Sequence, residues 1–390
     1  MKILLIHNFY QYRGGEDVYV DLLNKLLIEH GHDVILYSKN SKNIDAGIIS
    51  QAKIALNMFS NKNQCDEFRH IILNFRPNIV HFNNIYPLLT PELYDVCNQL
   101  MIPTVQTIHT YRYFCPKSNL FKGGKICELC VNKKFSYPAI FYKCYHKSYS
   151  ASLFYSGAFL YHKTINKFKT IKALIFPSNF TKEYYLKYLD ISSNNIFVVP
   201  HFTFNNIKQN KAKKQSIEKY FIYVGRLSEE KGILQLVKLF TQLADKNLLV
   251  LGDGPLRKEL DSFRKFKNID FRYNVSDDVK SDLIHNSIFT IIPSQVYEQG
   301  PLVLMESFAS GTPVLAPYLG PIKERIKHEK TGLFFNPGDM NDLKNKIILV
   351  SKGKYNLNKM RRNVINEYKK YYTPEKYYKS LMKIYNKISN

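Results

Sequence analysis

Short runs of β-branched and aliphatic residues that close on polar ones recur along this chain, separated by stretches of helical apolar spacing. That alternation leaves few architectures open. Its first instance sits at the start: KILLI, the polar loop HNFYQYRGGED, the helix-spaced VYVDLLNKLLIEHGH, then DVILYS. Strand, loop, helix and strand in that order make the βαβ unit of an open parallel sheet. NIVHFNN, TVQTIHTY, ALIFPSN and NIFVVPH repeat the apolar run with a polar close. Ligands of such sheets lie beyond the carboxyl ends of the strands, which is where Gly14, Gly15, Asn83, Asn84, His109 and Ser178 fall.

The composition turns polar and basic over HFTFNNIKQNKAKKQSIEK, His201 to Lys219, as a linker would, and the pattern then restarts with YFIYVGR, NLLVLGDGP, NIDFRYNV and TPVLAP. At 390 residues the chain exceeds the usual size of a single core. The expected architecture is α/β, with two Rossmann-like, doubly wound parallel-sheet domains facing across a cleft. Residues 1–200 form the first, with a cysteine-rich insertion over 115–144; residues 201–370 form the second; a helical segment over 371–390 closes the chain.

The stretch YEQGPLVLMESFASGTPVLAP, Tyr297 to Pro317, holds Glu298 and Glu306 in an otherwise apolar or small-residue run that contains no lysine or arginine. Pro301 suits a first helical position and Gly311 a left-handed stop, so a helix through Ser310 is expected. The amides of Leu302 and Val303 would then be free donors at a positive helix end beside Gly300, a ready anion site. Glu298 precedes that end and Glu306 lies more than a turn inside, so the two would flank a phosphate-bearing ligand. A capping charge and a solvated helix residue would satisfy the same pattern. In VGRLSEEKG, Arg226 and Lys231 stand at a strand-to-helix turn, an arrangement that suits a diphosphate but also an ordinary surface salt bridge. LGDGP is a tight glycine turn of little specificity.

The ordered set YVGRLSEEKG, LGDGP, SQVYEQGPLVLMESFASGTPVLA and EKTGLFFNPGD resembles the second domain of the retaining glycosyltransferases of family four, which have the two-Rossmann-domain GT-B fold. GGEDVY, GHDV, PNIVHFNN and PTVQTIHTY are similar to that family's acceptor-side domain. The resemblance implies that Glu298 holds sugar hydroxyls, that Glu306 accepts from the ribose, and that Arg226 and Lys231 neutralise the departing diphosphate. It implies that His109 stands near the donor sugar and that the backbone at Gly14 and Gly15 approaches the diphosphate. On this reading the two carboxylates are met by sugar and ribose hydroxyls rather than by cations. Run as Glu298, Gln299 and Gly300, the motif lacks the aromatic residue many relatives carry there, which bears on the donor sugar. The resemblance further implies retention of anomeric configuration without a catalytic metal, and a final helix that packs back on the first domain. The activity expected is transfer of a sugar from a nucleotide-sugar donor to a saccharide or lipid-linked acceptor, in surface polysaccharide, capsule or lipopolysaccharide biosynthesis.

Four of the six cysteines, Cys115, Cys127, Cys130 and Cys144, follow the spacing C-x11-C-x2-C-x13-C. A short knuckle with two distant ligands is a pattern for structural zinc, and four unrelated thiols are the plain alternative. No cofactor is expected for catalysis.

With 56 lysines and arginines against 32 aspartates and glutamates, the net charge of +24 draws the protein towards polyanions. From Leu129 to Lys182 there are nine lysines, many phenylalanines and tyrosines, and no carboxylate side chain. That composition suits an anionic membrane surface. It also suits single-stranded nucleic acid, or merely a solvated basic face. The opening residues lack a signal-peptide pattern, and no run approaches the ~18 apolar residues of a membrane-spanning helix. The expectation is a cytoplasmic enzyme at the inner face of the membrane, with no nucleic-acid partner. A basic nucleic-acid-binding protein is one rival, and an epimerase or hydrolase that uses the same donor site is the other.

Overall fold

The computed structural model describes residues 1–44, 47–165, 167–189, 195–204 and 220–389. The linker expected over 201–219 therefore lies, from residue 205 on, outside the described residues. The strands are β1 (Lys2–Phe9), β2 (Asp33–Asn40), β3 (Ile79–Phe82), β4 (Thr104–Thr107), β5 (Phe121–Lys122), β6 (Lys125–Ile126), β7 (Ala173–Phe176), β8 (Ile196–Val198), β9 (Tyr220–Val224), β10 (Asn247–Leu251), β11 (Ile269–Arg272), β12 (Phe289–Ile291), β13 (Val314–Pro317) and β14 (Gly332–Phe335). They form one six-stranded sheet in the order β2-β1-β3-β4-β7-β8 and a second in the order β11-β10-β9-β12-β13-β14. Every pairing within the two sheets is parallel.

Two compact units result: Met1–Leu120 with Cys127–Val199 and Tyr378–Asn390, and Pro200–Tyr377 with Phe121–Ile126. The first boundary falls beside Pro200. The last helix, Pro374–Ser389, is divided between the units, and the part from Tyr378 onward belongs with the first. Its Tyr385 hydroxyl bonds His81 Nδ1 at 2.6 Å, and its Tyr378 hydroxyl bonds His32 Nε2 at 2.9 Å. Within the 115–144 segment, β5 and β6 form an antiparallel hairpin turned by Gly123 and Gly124, both at positive φ.

Parallel strands are covered on both faces, so they read as unbroken apolar runs rather than alternating ones. β3, β4, β7 and β13 are buried at every residue. The helix Gly15–Glu29 buries Tyr19, Val20, Leu23, Leu26 and Leu27, one stripe at helical spacing. In the second unit Phe221, Leu236, Val250, Phe289, Leu315 and Leu333 join strands and helices in one core.

Candidate active site

In the second unit the strand order reverses between β9 and β12, so the loops leaving those strands open at its topological switch point. The β9 loop carries Arg226 and Lys231; the β12 loop carries Glu298 and Gly300. They are stitched together by the Gln295 amide, which donates to the Glu230 carbonyl at 2.9 Å. Gly232, at φ 70°, lies so close to the other loop that a Cβ there would stand 2.1 Å from the Pro293 carbonyl oxygen. Only glycine meets both demands.

Lys231 Nζ donates to Glu298 Oε1 at 2.5 Å, and the Ser294 hydroxyl donates to the same oxygen at 2.6 Å. Glu306, on the helix Leu302–Ala309, accepts from Lys280 Nζ at 2.9 Å, and Lys280 also bonds Asp277 Oδ1 at 2.8 Å. Burial opposes the Lys280 charge, but Glu306 and the bond to Asp277 outweigh it and hold the ammonium above its ordinary pKa. The expectation that hydroxyls rather than cations neutralise the two glutamates is thus corrected: each has a lysine. Lys231 is 67 residues from Glu298 and Lys280 is 26 from Glu306, so the run around the glutamates carries no sign of either.

Arg226 Nη2 donates to Glu230 Oε1 at 3.0 Å, an oxygen the Ser228 hydroxyl also reaches at 2.7 Å. Burial pushes the Glu230 carboxyl up, yet Arg226 and Ser228 outweigh it and keep it below the usual carboxylate range. Both cations of the β9 loop therefore already hold carboxylates, with which the diphosphate expected from the sequence would have to compete. The helix itself starts one residue later and stops one earlier than expected. Pro301 is its cap rather than its first residue, Ser310 is the other cap, and Gly311 follows at φ 73°. Leu302 and Val303 lie in the first turn, whose amides have no acceptor within the helix. Gly300 is fixed by His201, whose Nδ1 bonds its carbonyl at 3.1 Å and would stand 2.4 Å from any Cβ.

In the first unit the order reverses between β1 and β3. Asp17, buried in the first turn after β1, accepts from His7 Nε2 at 2.9 Å and from the amides of Gly14 at 2.9 Å and Tyr10 at 3.3 Å, which shapes the loop. Among the described residues nothing would lie within 4 Å of a Cβ at Gly14 or Gly15, so they leave this backbone uncovered. His109, past β4, bonds the Asn83 side chain past β3 at 2.9 Å through Nε2 and packs on the Tyr19 ring. Asn83 was legible as a strand-end residue; its bond to His109 was not, and neither were the contributions of Asp17, Ser294 and Lys280.

None of the four clustered cysteines is joined in a disulfide among the described residues. They are near enough to act on one another: burial, together with neighbouring Cys144 and Cys127, raises the Cys115 pKa, and burial and Cys115 push Cys130 to about 12. Among the described residues no three His, Cys, Asp or Glu side chains form a group able to hold a metal ion. The zinc expectation for Cys115, Cys127, Cys130 and Cys144 has no ready ligand group in this arrangement.

The family model for glycosyl transferases group 1 matches residues 204–371, and that for glycosyltransferase family 4 matches residues 13–203. An uncharacterized glycosyltransferase of Methanocaldococcus jannaschii is 22% identical over 100% of this chain and 99% of its own length. The sulfoquinovosyl transferase SQD2 of Arabidopsis thaliana is 28% identical over 38% of this chain, a match that spans only 29% of that protein. A lipopolysaccharide 1,2-N-acetylglucosaminetransferase of Salmonella typhimurium is 29% identical over 41% of this chain and 47% of its own. Among solved structures, the sucrose-phosphate synthase of Thermosynechococcus elongatus superposes with TM-score 0.71 at 17% identity, covering 99% of this chain and 98% of that one. Anabaena HepE in complex with UDP-glucose superposes with TM-score 0.66 at 14% identity over 98% of each chain. The chain belongs to the group 1 glycosyltransferases and has their double-Rossmann GT-B fold.

Proposed function

We propose that this protein is a retaining, metal-independent glycosyltransferase that moves a sugar from a nucleotide-sugar donor to a saccharide or lipid-linked acceptor in surface polysaccharide biosynthesis. The observation that carries the reading is the pair of lysine-held carboxylates, Glu298 with Lys231 and Glu306 with Lys280, at the switch point of the second unit. A bound donor would offer hydroxyls to the carboxylates and its diphosphate to Lys231 and Arg226. The leaving group would then gain cationic stabilisation as the glycosidic bond loosens. HepE, a neighbour in fold, is a UDP-glucose binder by its crystal structure, which supports a donor of this chemical class.

Titration with UDP-, GDP-, ADP- and CMP-sugars tests the donor. One nucleotide is expected to bind, and Glu306→Ala to abolish that preference; binding of none by folded protein would sink the reading. Lys280→Met, which frees Glu306 from its partner, is expected to weaken the preferred donor about tenfold, the effect of losing one charge-assisted hydrogen bond. An unchanged affinity would remove Lys280 from the site. The anomer formed, read by NMR, tests retention, and turnover in excess EDTA tests metal independence.

The same reading places the enzyme on the cytoplasmic face of an anionic membrane. In the first unit Tyr137, Phe141, Tyr142, Tyr149, Leu153 and Phe154 are exposed, Phe141 by 71%, among the exposed Lys133, Lys134, Lys143 and Lys147. Aromatic side chains interleaved with lysines fit a headgroup layer. Among the described residues no helix is long and apolar enough to cross a membrane. Liposome binding is expected to rise with anionic lipid and fall with salt, and Phe141→Ser with Phe154→Ser to weaken it. Indifference to both lipid charge and salt would reject the surface.

A further inference from the structure

Arg112 is a buried cation, only 9% exposed, that makes no direct ion pair among the described residues. The carboxylate that acts on it is Glu16, which it meets across the Tyr10 phenol. Among the described residues its hydrogen bonds are two long ones to neutral oxygens: Nη1 to the Tyr155 hydroxyl and Nη2 to the Tyr10 hydroxyl, each at 3.4 Å. Among the same residues Nε has no partner, and neither has the buried hydroxyl of Tyr86, whose ring lies 5.8 Å from the guanidinium carbon. The Tyr155 ring lies 6.0 Å away on the same cation. Tyr10 is further tied to Glu16, donating to Oε2 at 2.6 Å, so its oxygen is turned to accept from Arg112.

A guanidinium carries five donors in a planar fork suited to phosphate or carboxylate. Taking it out of water without a direct ion pair is costly, and two 3.4 Å bonds to phenols, one of them relaying Glu16, return only part of that cost. The fork therefore has donors to spare for an anion, and its location says which ligand it would serve. Tyr10 leads into the uncovered Gly14–Gly15 backbone, and Arg112 follows His109 by three residues. Tyr155 is on the inner face of the helix Tyr149–Thr164, whose outer face exposes Leu153 and Phe154.

We infer that Arg112, with Tyr10, Tyr86 and Tyr155, binds the anionic group, phosphate or carboxylate, of the acceptor. The inference rests on the glycosyltransferase reading above, and adds that the acceptor carries a negative charge that this unit reads by a dedicated side chain.

Calorimetric titration with octyl phosphate, octanoate, octyl glucoside and inorganic phosphate tests it, all below micelle-forming concentration, with the preferred nucleotide sugar as control. Octyl phosphate or octanoate is expected to bind in preference to the neutral octyl glucoside, and Arg112→Gln to weaken it roughly tenfold or more. Nucleotide-sugar binding should stay unchanged in that variant. Tyr86→Phe removes a hydroxyl that has no partner, so its fold is safe, and it is expected to weaken the same probe several-fold. If Arg112→Gln does not fold, Tyr86→Phe decides alone. Inorganic phosphate binding as tightly as octyl phosphate, and lost in Arg112→Gln, would support the site and assign it to free phosphate. Octyl phosphate bound equally by wild type and the folded variants, or no better than octyl glucoside, would overturn the inference while leaving the donor site standing. Failure of wild type to bind any nucleotide sugar would overturn the reading beneath it.

Discussion

Lys231→Ala is expected to lower turnover by about a hundredfold to a thousandfold while the protein stays folded, the scale seen when one preorganised donor to developing charge is removed. The ammonium sits 2.5 Å from Glu298 Oε1, and its side chain keeps 27% of its surface in solvent against 11% for the glutamate. On the proposed reading it has two tasks. With no donor bound it holds the carboxylate in one place, and with a donor bound it would meet the leaving diphosphate. Loss of the lysine should cost little stability, about 1 kcal/mol, since water can reach the vacated side and Ser294 still bonds the same oxygen at 2.6 Å. The loss in rate should therefore come with a donor affinity changed only several-fold, because charge on the leaving group is greater in the transition state than in the bound donor. Glu298→Gln keeps the shape, removes the charge and leaves Lys231 unopposed. Its rate should fall as well, while diphosphate alone should bind more tightly. Turnover of Lys231→Ala at the wild-type level would remove Lys231 from the chemistry and with it the reason for pairing it to Glu298.

That prediction turns on a contact the sequence did not disclose, and the reason is general. The alternation of apolar runs and helix-spaced segments is a local property, repeated many times, so the two parallel sheets were legible. Gly300-Pro301 likewise marked the start of the helix Leu302–Ala309 to within one residue. What was hidden is contact across long chain separations. Nothing near Glu306 indicates Lys280, because Lys280 lies on another helix, Asp277–Asn286, 26 residues away in the chain. The run around the glutamates holds no cation because both partners come from other segments of the chain. The cysteines show the same limit from the other side: their spacing was legible, but spacing fixes no angle between side chains. Arg112 escaped notice for a third reason. An arginine beside tyrosines in a basic chain reads as a solvated surface, and only burial sets it apart.

Burial of two histidines gives the chain an acid-sensitive stability, expected to fall by about 2 kcal/mol per histidine between pH 7 and pH 5. His81 is fully buried in the first unit, with Nε2 on the Thr107 hydroxyl at 2.7 Å and Nδ1 on Tyr385 at 2.6 Å, and burial brings its pKa to about 3. His201, in the second unit, is lowered to about 3 by burial as well, against the opposing pull of its bond to the Gly300 carbonyl. Both folded pKa values lie below the ordinary 6.5, so the folded state favours the neutral ring. Above pH 6.5 neither state holds the proton, and these groups contribute their full stability. As pH falls from 6.5 towards 3, the unfolded chain takes up protons that the folded chain refuses, and stability is lost at up to about 1.4 kcal/mol per pH unit for each ring. Each unit carries one of the two, so urea unfolding followed separately in the units should show an acid limb in both. His81→Asn should flatten the limb of the first unit by close to one proton and leave that of the second unchanged. Midpoints that do not move between pH 7 and pH 5 would mean that water reaches both rings in the folded protein. In that case the His81 bond to Tyr385, which ties the last helix to β3, would have to be stable with a charged imidazole.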